Sequence, residues 1–314
     1  MAPAPATQLT FVVVVFEAEH DLLWLQATSL ARHLDPAIVA RIVVLDQSRP
    51  ALSGRARRRL LRAYGPLADR VEIVTSPPGP DGWVGQQVLK LGIAREVTTP
   101  HYVALDAKNH AVAPLGLDTF LAPDGRAHLR WYRYAGHPME ARVLRTASWL
   151  GLPEEAARQE LPATTTPFTF VTEEVRRLVA YVEDREGTSF GEAFRSAGLI
   201  EFPLYALWLL RRGTLDELHD REELRCPTVW ASSRDAATVR SLVAGAGDAP
   251  FFAVHRSALV RLGPAACLAL ASWWRGRGLF MSRVGPLWFL GRARARIVVA
   301  TLRSRRRNAR FRSP

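Results

Sequence analysis

Residues 11–16 read FVVVVF, an unbroken run of β-branched and aromatic side chains. Such a run suits a strand shielded on both faces, as in a parallel sheet. Three later segments repeat the theme. Residues 41–45 and 71–74 read as further strands, and residues 102–105 as a fourth. Between them lie three helix candidates. Asp21 is placed to cap the first, with Leu22, Leu25 and Leu30 on its inner face. Residues 53–64 form the second, dense in arginine on the outer side. The third covers residues 84–97, after a PPGPDG turn at residues 77–82 that stops regular structure. Strands alternating with helices over about the first third of the chain predict an α/β fold with a doubly wound, mostly parallel sheet.

In such sheets ligands bind beyond the carboxyl ends of the strands. Here those ends fall at residues 17–21, 46–48, 76–82 and 106–110, and all four are polar or turn-rich. Together they predict a cleft. After Pro114 the pattern loosens. Residues 127–132 and 164–171 read as extended, residues 139–150, 172–184, 190–197, 201–212 and 235–243 as helical, and residues 228–231 and 251–254 as short strands. Thr172 is placed to cap its helix. The divisions expected are a flexible N-terminus (1–9), one α/β domain (10–262), an apolar helical segment (263–291) and a basic tail (292–314) whose last dozen residues are disordered.

Composition narrows the partners. The chain is 48% hydrophobic and 23% charged, with a formal charge of +12. Much of that charge lies at residues 55–62 and 292–312. A basic tail suits anionic lipid, nucleic acid or an acidic partner equally. Nucleic acid is argued only from net charge, because Trp273, Trp274 and Trp288 sit in apolar segments rather than interleaved with basic residues. Two cysteines are too few for a disulfide framework or zinc cluster and suit a reducing cytoplasm. No run reads as a leader peptide or a bilayer span.

The chain has only two lysines, Lys90 and Lys108, and both fall within residues 82–110. Asp106, Lys108, Asn109 and His110 end the fourth strand. Asp106 there suits a divalent cation or ribose hydroxyls, while Asp106 and Asn109 equally suit a turn. Trp83, Gln87 and Lys90 share a helical stripe with Gln86 beside it. Those amides and the ammonium suit a ligand with hydroxyls and phosphates, and equally a solvated face with Trp83 plugging the core. Glu201 opens an apolar helix, as a general base or simply as an acid favoured by the helix dipole. His255 ends the strand FFAV as a metal or phosphate ligand, or as a hydrogen-bonded histidine. No P-loop, GxGxxG, GxSxG, HExxH or paired CxxC motif is present.

GWVGQQVLKL, HYVALDAKN and EFPLYALWLL, in this order, resemble a bacterial family described as domain of unknown function 6492, itself similar to GT-A-fold glycosyltransferases. The resemblance spans roughly residues 10–260. It rests on Trp83, Gln86, Gln87, Lys90 and Leu91, then Asp106 and Asn109, then Glu201 and Tyr205. It implies a nucleotide-sugar donor bound by Glu17, Trp83, Gln86, Gln87, Lys90, Asp106 and Asn109. It also implies a glycan or lipid-linked acceptor near Glu201, in cell-envelope polysaccharide synthesis. Asp106 stands where a metal-binding Asp-x-Asp begins, and His255 where a late metal-binding histidine falls, so Mg²⁺ or Mn²⁺ is implied. The sequence departs from that pattern at Lys108, which occupies the second Asp position. A lysine there can meet the charge of a leaving diphosphate directly, so reduced or absent metal dependence is expected, with Lys108 and Glu201 as the catalytic pair. The resemblance also leaves room for a nucleotide- or sugar-binding protein without turnover. The expected location is the cytoplasm, with the basic tail touching anionic membrane on its inner face.

Overall fold

A computed structural model describes residues 7–76 and 82–310. The central sheet comprises β1 (Leu9–Val15), β2 (Val39–Asp46), β3 (Val71–Thr75), β4 (His101–Asp106) and, after a short β5 (Asn109–Ala111) outside it, β6 (Phe168–Val171). Its order is β3-β2-β1-β4-β6, with the first four strands parallel and β6 antiparallel to β4. This is the mostly parallel α/β sheet expected. Alternation explains why FVVVVF has no polar face: Phe11, Val13 and Val15 enter one core cluster, while Val12 and Val14 enter the other.

Helices α1 (His20–His33), α2 (Gly54–Ala63) and α3 (Trp83–Gly92) make the crossovers. Ser53 caps α2 by accepting a hydrogen bond from the Ala56 amide. Two expected caps are absent. Asp21 lies in the first turn of α1 and pairs instead with Arg292 and Arg296. Thr172 is the first residue of α4 (Thr172–Glu186), and its hydroxyl donates to the Thr99 carbonyl. Helix α3 is shorter than expected, ending at Gly92 and tightening into a 3₁₀ turn at Ile93–Arg95. The turn at residues 77–82 lies mostly outside the described residues.

Helix α5 (Glu201–Arg212) is buried along most of its length beside β6. A small second sheet joins β7 (Thr228–Val229), β8 (Phe251–Val254) and β5, with β8 parallel to β7 and antiparallel to β5. The chain therefore leaves the main sheet at Asp106, turns through Ala107 and Lys108, and enters the small sheet at Asn109. Helices α6 (Arg256–Leu259), α7 (Pro264–Gly276) and α8 (Gly285–Arg310) complete the fold. From Arg292 onward, where a basic tail with its last dozen residues disordered was expected, the chain continues as α8 to Arg310. That helix packs against α1, α7 and the 3₁₀ turn Glu17–Glu19.

Candidate functional site

The parallel strands end at one level: Val14 pairs in register with Asp106, Val15 with Asp46, and Asp46 with Thr75. The strand order reverses between β1 and β4, where the crossovers diverge and leave a crevice. A cleft of about 600 Å³ opens there.

Its floor is a buried cluster of charges. Lys90, on the inner stripe of α3, places Nζ 2.7 Å from Asp106 Oδ1 and 3.2 Å from Glu201 Oε1. Lys108 pairs with the other oxygen of Asp106, Oδ2. Both carboxylate oxygens of Asp106 thus face ammonium groups. Burial works against an ionised Asp106, but Lys108 and Lys90 outweigh it and hold the carboxyl well below the usual range. Burial likewise disfavours charge on Lys90, and Asp106 and Glu201 reverse that, raising its pKa. Glu201 shares Lys90 with a stronger acid. Burial dominates there and, despite Lys90, pushes the carboxyl up to about 7. Its Oε2 is buried and has no hydrogen-bond partner.

Uncharged groups fix this cluster in place. The Asn109 Oδ1 accepts from the Asp106 amide at 2.7 Å, and its Nδ2 donates to the Thr166 carbonyl at 3.0 Å. From α1, Gln26 Nε2 donates to the Asp106 and Asn109 carbonyls at 2.7 and 2.9 Å. The Gln87 Oε1 accepts from the Glu201 amide at 3.1 Å, satisfying a donor left open at a helix start. Gln87 and Asn109, expected as donor contacts, are fully buried and do not reach the cleft. Asn109 closes the turn, and Asp106 faces the cleft.

The walls come from distant segments. Glu17, Glu19, Ser48, Trp83 and Gln86 line the side of the first crossovers. Trp83 is 45% exposed, so it is a wall residue rather than a core plug, and Arg142 lies over its ring. His20 Nε2 and Ser48 Oγ are 2.6 Å apart. Opposite stand Trp230, His255 and Arg256. Trp230 lies against His255, with ring centroids 5.3 Å apart, and Lys108 Nζ sits 5.6 Å from the Trp230 ring. Arg256 reaches across to Glu19 at 3.3 Å. Helix α8 adds Ala300 and Thr301, and its Arg303 pairs with Glu17 at 2.5 Å.

Of the residues expected at a site, Glu17, Trp83, Gln86, Lys90, Asp106, Lys108, Glu201 and His255 all line this cleft. Glu19 and Ser48 lie in strand ends already marked as polar. Trp230 and Thr301 carry no local signal, since one follows a two-residue strand and the other lies in a segment read as tail.

Asp106 and His255 were the expected metal ligands. Each oxygen of Asp106 already faces a lysine ammonium, Lys90 on Oδ1 and Lys108 on Oδ2. His255 uses Nδ1 to cap α6, accepting from the Ser257 amide at 3.3 Å. Burial, with Lys108 and Arg256 nearby, pushes the His255 imidazole down to about 4 and keeps it neutral. Among the described residues, one group of three brings metal-ligating atoms together, His128, Asp220 and Glu222, and none of these lines the cleft.

A family model described as "Family of unknown function (DUF6492)" matches residues 7–260, most of the chain. No curated protein gives a match. Among solved structures, the chain is similar to the apo structure of WbbM, a bifunctional glycosyltransferase, at 14% identity and a TM-score of 0.44. The likeness covers 81% of this chain and 46% of that one, so the chain spans about half the length of WbbM.

Proposed function

The chain belongs to the DUF6492 family, and we propose that it is a glycosyltransferase moving a sugar from a nucleotide-sugar donor to a glycan or lipid-linked acceptor. The observation that carries this reading is the floor of the cleft. Two lysines and two carboxylates meet at the switch point of a parallel sheet, and the two carboxyls have their pKa values pushed apart.

Lys108 is the group for the leaving diphosphate. Negative charge grows on that leaving group as the sugar departs, and a fixed ammonium stabilises it without reorganisation. Asp106 holds Lys108 and Lys90 in position and faces the donor. Glu17, Trp83 and Gln86 line the donor side, and Gln87 and Asn109 act one step back by holding Glu201 and the Asp106 turn. Glu201, with its carboxyl near 7, is suited to take the proton of the acceptor hydroxyl as the new glycosidic bond forms. A divalent cation at Asp106 would meet an ammonium already on each oxygen, so transfer here is proposed to run without one.

The test is release of nucleoside diphosphate from a panel of UDP-, GDP- and CDP-sugars, with and without EDTA. Release that is indifferent to chelator is expected. Complete loss with EDTA and recovery with Mn²⁺ would overturn the metal-free part. Saturable binding of a nucleotide sugar with no release would favour the second reading, a binding protein, for which the double occupation of Asp106 is the supporting observation.

A further inference from the structure

The basic excess of this chain lies entirely at one end. No acidic residue follows Asp248, while 14 of the 42 lysines and arginines do. The first 248 residues hold the other 28 against all 30 acids, which leaves them slightly negative.

That end contains α8, a helix with two apolar faces. At 3.6 residues per turn, Phe289, Ala293, Ile297 and Ala300 fall on one side, and all are buried. On the opposite side fall Val284, just before the helix, then Leu287, Trp288, Val298, Val299 and Leu302. Trp288 is 62% exposed, Leu302 51% and Val298 49%. Gly291 and Ala295 continue this outer stripe, so no polar side chain interrupts it from residue 284 to 302. Met281, 95% exposed, stands next to its start. An apolar stripe of this length on a folded monomer marks a contact surface.

No described helix is long and apolar enough to cross a membrane. An amphipathic helix with arginines flanking an apolar stripe instead suits the plane of a lipid interface. Arg292 lies over the Trp288 ring at 4.5 Å, and Arg283 is exposed at the helix entry. Arg305, Arg306, Arg307 and Arg310 continue the basic sequence of the helix with no acid among them. A second copy of the chain is a poor occupant, because a two-fold interface would set this arginine-rich end against itself. We propose that the outer face of α8 seats the protein on an anionic lipid surface, with the stripe at the acyl boundary and the exposed Arg283 at the headgroups, while Arg292, Arg296 and Arg303 stay paired with Asp21 and Glu17. The turns carrying Val298, Val299 and Leu302 also carry Ala300 and Thr301, which line the cleft. A seated helix therefore holds the cleft within about one helix diameter, ~10 Å, of the surface.

Co-sedimentation of the full chain with phosphatidylcholine vesicles, with and without phosphatidylglycerol, tests this without reference to sugar transfer. Binding is expected only with the anionic lipid, weakening as salt is added. Trp288→Asp combined with Val299→Asp should cut the bound fraction about tenfold or more. Both side chains are exposed, so the thermal midpoint of that variant should stay within a few degrees of the parent, which separates lost docking from lost folding. Failure to sediment with anionic vesicles overturns the proposal. So does parental binding by the double variant, or a lipid-free dimer that the same substitutions abolish.

Discussion

The floor and the C-terminal wall of the cleft use the same chemistry under opposite conditions. On the floor, Lys90 is 2% exposed and its partner Glu201 7%. On the wall, Arg303 is 62% exposed and its partner Glu17 20%. A buried ion whose partner is removed has no water to replace it, whereas an exposed one does. The members of the floor thus depend on one another and cannot be changed one at a time without strain. The wall shapes the cleft, and water can stand in for its pairs.

The largest effect that would test this contrast is at Lys90. Lys90→Met leaves Asp106 with one ammonium and Glu201, only 7% exposed, with none. A loss of about 3–5 kcal/mol in urea unfolding is expected. Adding Glu201→Gln to Lys90→Met should recover a large part of that loss, because it removes the stranded carboxyl. Losses that simply add would show that the two groups are not coupled, and the floor would be no different from the wall.

Lys108 separates chemistry from stability. It is the outer lysine, 13% exposed, and Asp106 keeps Lys90 when it is removed. Lys108→Ala should lower kcat by about 10²- to 10³-fold if it meets the leaving diphosphate, with a smaller stability loss than Lys90→Met. Steady-state turnover beside urea unfolding checks both. An unchanged kcat would remove Lys108 from the chemistry.

Glu201 sharpens the comparison through pH. Its folded carboxyl sits near 7, above the ordinary 4.5. The folded state therefore holds a proton that the unfolded state has released, across the window from about 4.5 to 7. Its contribution to stability is fully present below that window and is lost as pH rises through it. Glu201→Gln keeps the shape and has no proton to lose, so the variant should gain on the parent between pH 5 and pH 8. Urea unfolding at both pH values measures the difference. A parallel shift at the two would sink the assignment.

The floor was legible in the sequence because its residues obey short-range patterns. Asp106 follows a buried strand, Lys90 falls on the inner stripe of a helix, and Glu201 opens a helix whose range is as expected. What the pattern could not show was their convergence: 111 positions separate Lys90 from Glu201. Gln87 and Asn109 depart from expectation for a related reason. Their residue types suit a ligand, but buried backbone donors and acceptors at the Asp106 turn and at the start of α5 use them first. The wall was far less legible. Asp21 looked like a helix cap because its arginine partners lie some 275 positions away. A stretch rich in arginine and short of acids reads as a solvated tail until a buried aspartate is found to hold it down.

The smallest expected effect is at the wall itself, and it is diagnostic because it is small. Arg303→Ala removes the pair with Glu17, in which the arginine is mostly in water. Global stability should fall by no more than about 1 kcal/mol. The two anchoring pairs of α8 to buried Asp21, through Arg292 and Arg296, remain. The helix should therefore stay docked over its first turns and loosen near Ala300 and Thr301. Hydrogen exchange should quicken at residues 299–303 and not at residues 288–296, and any change in turnover should fall on KM rather than kcat. If exchange instead quickens along the whole helix, the Glu17 pair is as essential as the floor, and the distinction between the two regions fails.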